Sequence, residues 1–328
     1  MPNPPMHPYS PATGLSRVAG YPTRNAAADE YLAVGQMLVL DPREAKIEGD
    51  ELVVQAVRFS ARRFVDDLTI CTPVSAPFHG FRDQYTIRAS TATLVAPDQV
   101  ITAGHAAVKA DINNTVIVFG RHVGAAFEVG NEDVQWLRIP ARDSGGRTQW
   151  VRANDILGSD QPKYDAVKKT WSGIDWALIS LSEPVEGIEP IPFASTEGIL
   201  DGVVVSYPLG LPRKVVPARK IPAPSEQGES VEFWTGFGSG ASGSPLIVRL
   251  PPSSASSSES DVALRPYVDG IVSGASRFHK SDIKQHDGHR CIFSEPVDQV
   301  DATPQPVTSI DDVLKGLEPA ARGLEPSA

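Results

Sequence analysis

Cysteine is almost missing from this chain: Cys71 and Cys291 are the only two among 328 residues. Two cysteines build neither a disulfide framework nor a metal cluster. They can form one bridge or remain as two buried thiols. Long apolar runs are missing too, and none approaches the roughly 20 residues needed to span a bilayer. The stretch MPNPPMHPYSPATGLSRVAGYPTRN has no basic start followed by an apolar core, so it does not read as a signal peptide. The chain as written is therefore expected in the cytoplasm, or secreted if it has been trimmed, with no membrane partner. Positive charge is in deficit, with 30 Lys and Arg against 40 Asp and Glu and a formal net charge of −10. No Lys/Arg-dense run occurs, which argues against nucleic acid as a partner. No internal repeat is present.

What remains is globular: 41% hydrophobic and 21% charged residues, enough for one large domain or two barrels sharing a core. The 29 prolines and 27 glycines imply many turns. Between them lie short runs rich in valine and isoleucine: QYTIRASTATLVAP, QVITAG, NTVIVFG, VQWLRI, DWALISL, DGVVVSYP, RKVVPARKI, ESVEFWTG, SPLIVRL, YVDGIVSG and RCIFSEPV. About a dozen short strands with no alternating helices predict an all-β protein and exclude a parallel βαβ sheet. Residues 1–45 are expected to be an N-terminal extension, loosely ordered over its first 30 or so. DELVVQAVRFSARRFVDDL (50–68) has mixed three- and four-residue apolar spacing, which predicts a helix. PPSSASSSES (251–260) reads as an exposed loop. TSIDDVLKGLEP (308–319), with a serine cap and acidic first turn, predicts a short terminal helix within a C-terminal segment 301–328.

Three stretches carry chemistry. In GFGSGASGSP (236–245), glycines surround Ser242 at the apex of a tight turn. A serine hydroxyl needs a base, an orienter for that base and donors for the developing oxyanion. Gly240 would let the chain turn so that its N–H lies beside that of Ser242. Gly243 is expected to leave room for substrate, and Pro245 to end the loop before a strand. A plain Gly-Ser turn is the competing reading, although G-x-S-G-x-P arises by chance in only about one of a few hundred chains of this length. In ITAGHAA, an alternating strand delivers His105 at its end; alone, such a histidine is more often structural. In GIDWALISL, Asp175 opens a strongly apolar strand that would bury its carboxylate, which then needs a donor such as an imidazole N–H. Asp165, in KYDAVKK, is the nearest rival, but its surroundings are charged.

In the order His105, Asp175, Ser242, these motifs resemble the trypsin/chymotrypsin-like serine peptidases, which carry TAGH or TAAH, D-x-A-L and G-x-S-G-x-P. The resemblance covers roughly residues 50–305. It implies two perpendicular six-stranded antiparallel barrels, within a peptidase domain spanning 46–300 and divided near 185–195. It also implies His105 as general base, Asp175 as its orienter, Ser242 as nucleophile, and the N–H groups of Gly240 and Ser242 as oxyanion hole. A polypeptide substrate, no cofactor, no metal and a monomer are expected. YVDGIVSGAS is similar to the family strand that pairs with substrate, with Ser273 near the orienting acid and Gly274 on the pocket wall. GSP, SYPLGLPRKV and the few cysteines resemble the bacterial glutamyl-endopeptidase-type branch.

Departures are informative. Ala241 stands where the animal digestive enzymes carry an aspartate that receives a new amino terminus, and Ala106 where they carry cysteine. Thr235 and Gly236 line the expected pocket base without a carboxylate, so Lys or Arg is not favoured there. Val272 replaces the histidine of the glutamyl branch, while Arg277 or His279 could swing in and favour an acidic residue. A catalytically silent barrel used for binding or sensing is the alternative, opposed by the filled triad positions. An α/β lipase or esterase is excluded by the chain order and the lack of G-x-S-x-G.

Overall fold

The computed structural model describes residues 24–59, 63–64, 68–71, 83–121, 129–130, 133–161, 163–165, 170–172, 174–196, 200–221, 230–233, 241–251, 264–272, 283–286, 289–293 and 305–317. Twelve strands make two antiparallel barrels. The first comprises β1 (Val34–Val39), β2 (Ser90–Ala96), β3 (Gln99–Thr102), β4 (Thr115–Val118), β5 (Trp150–Asp160) and β6 (Trp176–Leu181), closed in the order β4-β5-β6-β3-β2-β1. The second comprises β7 (Leu200–Ser206), β8 (Lys214–Ile221), β9 (Ser230–Phe233), β10 (Pro245–Leu250), β11 (Arg265–Val272) and β12 (Gln305–Ser309). Its order is β8-β7-β10-β11-β12-β9, and the β8–β9 pairing returns the sheet on itself. The protein is thus an all-β, chymotrypsin-like double barrel with very few helices. Among them are α1 (Gly104–Lys109) and the terminal α2 (Ile310–Gly316). No helix among the described residues is long and apolar enough to cross a membrane.

The apolar strands drive closure. Leu178 and Ile179 of β6 are wholly buried, each worth about 2–3 kcal/mol relative to exposure. They share one core with Leu94, Ile101, Ile117 and Trp176 from the first barrel and Val205, Ile247 and Ile271 from the second.

Two segments differ from expectation. The stretch 50–68 begins as a strand, Glu51–Arg58, paired with Val134–Pro140 and with Ala45–Glu48. Leu52, Val54 and Ala56 pack with Leu38, Val116 and Val118, covering the outside of the first barrel. β-branched residues suit that pleated surface better than a helix, and the successive burial of Leu52, Val53 and Val54 breaks the period-2 pattern. For the same reason β1 lies inside the span 1–45 read as an extension: five of its six residues are buried.

The barrels meet across polar groups. Arg121 Nη1 donates to Gly210 O at 2.8 Å and to Gln36 Oε1 at 3.2 Å. Tyr207 Oη donates to Val34 O at 2.9 Å, and Lys214 Nζ donates to Gln84 Oε1. Burial, with the Arg121 charge nearby, pushes the Lys214 ammonium down to a pKa of about 6. The strands bearing the cysteines, Leu68–Cys71 and His289–Phe293, run parallel as neighbours, with Thr69 opposite Cys291 and Phe293 opposite Cys71.

Candidate active site

His105 does not stand at a bare strand end. β3 finishes at Thr102, and the chain turns at once into α1, where His105 is the second residue. Gly104 permits the turn: a Cβ there would lie 2.0 Å from Asp160 O and 2.8 Å from Trp176 O, inside the backbone of β5 and β6. That packing sets the imidazole beside the start of β6, directly after Asp175.

Asp175 is fully buried. A buried carboxylate is costly unless donors satisfy it. Here His105 supplies two: its backbone N–H donates to Oδ1 at 2.8 Å, and its ring Nδ1 lies 2.6 Å from Oδ2. An ionised carboxylate only accepts, so Nδ1 carries the proton and Nε2 presents its lone pair. Nε2 is 2.9 Å from Ser242 Oγ. The serine hydroxyl is therefore placed to donate to the imidazole. Both His105 bonds to a carboxylate go to Asp175; Asp165 sits in the separate hairpin of Lys163–Asp165 with Thr170–Ser172.

Ser242 is held from both barrels. Its carbonyl accepts from Thr91 N–H at 3.1 Å, Gly243 N–H donates to Val272 O at 2.9 Å, and Val272 N–H donates to Ser244 O at 2.9 Å. Gly243 corrects the expectation that it leaves room for substrate. Its φ is +85°, and a Cβ would come within 2.2 Å of both Thr91 O and Thr102 Oγ1. The space above Gly243 is filled by the first barrel. Pro245 begins β10 as expected. Gly240, Thr235, Gly236, Ser273, Gly274, Arg277 and His279 lie outside the described residues.

The sequence reading missed Thr308. Its Oγ1 accepts from Asp175 N–H at 2.9 Å and donates to Asp175 O at 3.1 Å. The threonine was in view only as the start of a helix, and nothing local ties it to a residue 133 positions earlier. It is the penultimate residue of β12, which ends at Ser309, and the helix starts only at Ile310.

Residues 90–249 match the trypsin-like peptidase domain, a little under half of the chain. No curated protein matches it. Similar solved structures include the Rv3671c protease of M. tuberculosis in its active form, with 15% identity, 91% of this chain and 84% of that one covered, and a TM-score of 0.40. Human heparin binding protein is similar at 12% identity, covering 93% and 99%, with a TM-score of 0.42. A scabies mite inactivated protease paralogue is similar at 11% identity, covering 90% and 96%, with a TM-score of 0.43.

Proposed function

We propose that this protein is a serine endopeptidase. The observation that carries the reading is the continuous chain from Asp175 Oδ2 through the His105 ring to Ser242 Oγ, at 2.6 and 2.9 Å. Ser242 Oγ attacks the scissile carbonyl carbon as its proton passes to His105 Nε2. Asp175 holds the ring in the tautomer that can accept that proton and stabilises the imidazolium. The tetrahedral intermediate collapses when Nε2 returns the proton to the leaving amine, so the C–N bond breaks and an acyl-enzyme remains. Water, activated by the same imidazole, then hydrolyses the ester. The N–H groups of Gly240 and Ser242 act as the oxyanion donors, a role assigned from the G-x-S-G-x-P motif.

The substrate is a polypeptide with a small or apolar side chain on the acyl side of the cleaved bond. Thr235 and Gly236 supply no charge to meet an ionic one, and an unpaired buried charge is costly. GSP and the few cysteines favour the glutamyl-endopeptidase-type branch, while Val272 at the position of that branch's histidine speaks against Glu preference.

The test is a peptide library cleaved by the intact protein and by Ser242→Ala, beside labelling with a fluorophosphonate. The serine variant should lose a factor of about 10⁴ to 10⁶ in turnover, as triad knockouts do, and should not be labelled. A variant keeping more than a tenth of the activity has another nucleophile. An unlabelled, inactive wild-type protein would instead be a silent barrel. A strong Arg preference would mean that the pocket floor lies elsewhere.

A further inference from the structure

Three elements meet at the back of the site. Asp175 belongs to the first barrel, at the entrance to β6. Ser242 belongs to the second, at the entrance to β10. β11 lies between β10 and β12 in the second barrel. On one edge, Val272 exchanges hydrogen bonds with Gly243 and Ser244, the two residues that directly follow Ser242. On the other edge, Ile271 is paired with Thr308. Thr308 is buried, and its hydroxyl bonds both the N–H and the C=O of Asp175. The loop that carries the serine and the backbone of the acid are thus both referenced to two consecutive residues of one strand.

The segment after Thr308 reinforces the clamp. Ile310, Val313 and Leu317 are buried in the core that contains Trp176, the residue following Asp175. Gly316 backs directly onto the Trp176 indole, where a Cβ would lie 2.7 Å from Cζ2. The C-terminal strand and helix therefore cross from the second barrel to the first and grip Asp175 and Trp176 together.

We infer that Thr308 is a positioning residue: through its hydroxyl, the second barrel fixes the Asp175 backbone, and with it the His105 ring, relative to Ser242. The inference rests on the peptidase reading for its effect on turnover, but not for the geometry itself. Without the clamp, Asp175 and His105 keep their mutual bonds, since both belong to the first barrel. What loosens is the register of that pair against Ser242. Misplacement of about 1 Å at such a site costs on the order of 10²-fold in rate.

Thr308→Val keeps the shape and deletes the hydroxyl; Thr308→Ser keeps the hydroxyl. With a fluorogenic peptide, Thr308→Val is expected to lower kcat by about 10- to 100-fold with KM within twofold, and Thr308→Ser to recover most of it. Wild-type kcat in the valine variant, or equal losses in both, overturns the proposal. A second readout needs no turnover: the 15N NMR chemical shift of His105 Nε2 at fixed pH, which reports its hydrogen bond to Ser242 Oγ. The valine variant should move that shift away from wild type, and serine should restore it. Identical Nε2 shifts in all three proteins overturn the clamp even if peptides are cleaved. A responsive Nε2 shift in a protein that no fluorophosphonate labels would sink the peptidase reading and leave the clamp standing.

Discussion

Alanine in place of Gly243 should disable the nucleophile while leaving the protein folded. Two costs are separable. The first is conformational, because φ is +85°, and an L side chain in that region costs about 1–2 kcal/mol. The second is steric. The new methyl would stand 2.2 Å from Thr91 O and Thr102 Oγ1 and 3.0 Å from Ala103 N, so ordinary contact requires a shift of about 1 Å. Thr91 O and Thr102 Oγ1 are themselves hydrogen-bonded at 2.7 Å and buried, and breaking that bond costs about 0.5–1.5 kcal/mol. The sum, about 1.5–3.5 kcal/mol, is below the roughly 5–15 kcal/mol typical of folded domains. It corresponds to a Tm loss of roughly 3–14 °C. The shift falls beside Ser242, whose carbonyl is bonded to the same Thr91, so turnover should fall by about 10². Gly49→Ala is the control: its φ is +65° with nothing within 4 Å of a Cβ, so it bears the conformational cost alone. Differential scanning calorimetry and peptide turnover are measured on both. If Gly243→Ala matches Gly49→Ala in Tm and in turnover, the first barrel does not fill that space and the argument fails.

Asp175→Asn should fold and lose about 10⁴ in turnover, because an amide favours the wrong imidazole tautomer. Full activity for that variant, with loss in Asp165→Asn, would move the acid. Lys214 sets a pH dependence of stability. Its pKa is about 6 when folded against 10.5 unfolded, driven first by burial and then by Arg121. The unfolded chain therefore binds more protons between these values, and this lysine's contribution makes stability rise with pH across the window and fall toward pH 6. Lys214→Met should gain relative to wild type at pH 6, and that advantage should shrink as pH rises to 9 without vanishing there, since the window runs to 10.5, read from urea midpoints. A wild-type-to-variant difference that is the same at both pH values contradicts the buried, uncharged lysine.

The sequence by itself determined the fold class and supplied the motifs on which the proposed chemistry rests. A serine hydroxyl among glycines, an imidazole after an alternating strand and a carboxylate opening WALISL are each local signals, because each motif must build its own turn and strand. Their order along the chain led to the double barrel. Tertiary structure alone decided how the parts are held. The strands at Val34–Val39 and Glu51–Arg58 were not legible because consecutive buried residues, 34–38 in the first and 52–54 in the second, erase the alternation that reveals a strand. Gly243 looked like space for substrate because the residues that fill its empty side, Thr91 and Thr102, come from the other barrel. The choice of Asp175 over Asp165 rested on the apolar strand that follows it, and the distances to His105 then gave that preference a geometry. Thr308 left no trace in its own neighbourhood. Its partner is the Asp175 backbone, and backbone hydrogen bonds between distant segments leave no mark on either segment's pattern until strand pairing brings the two together.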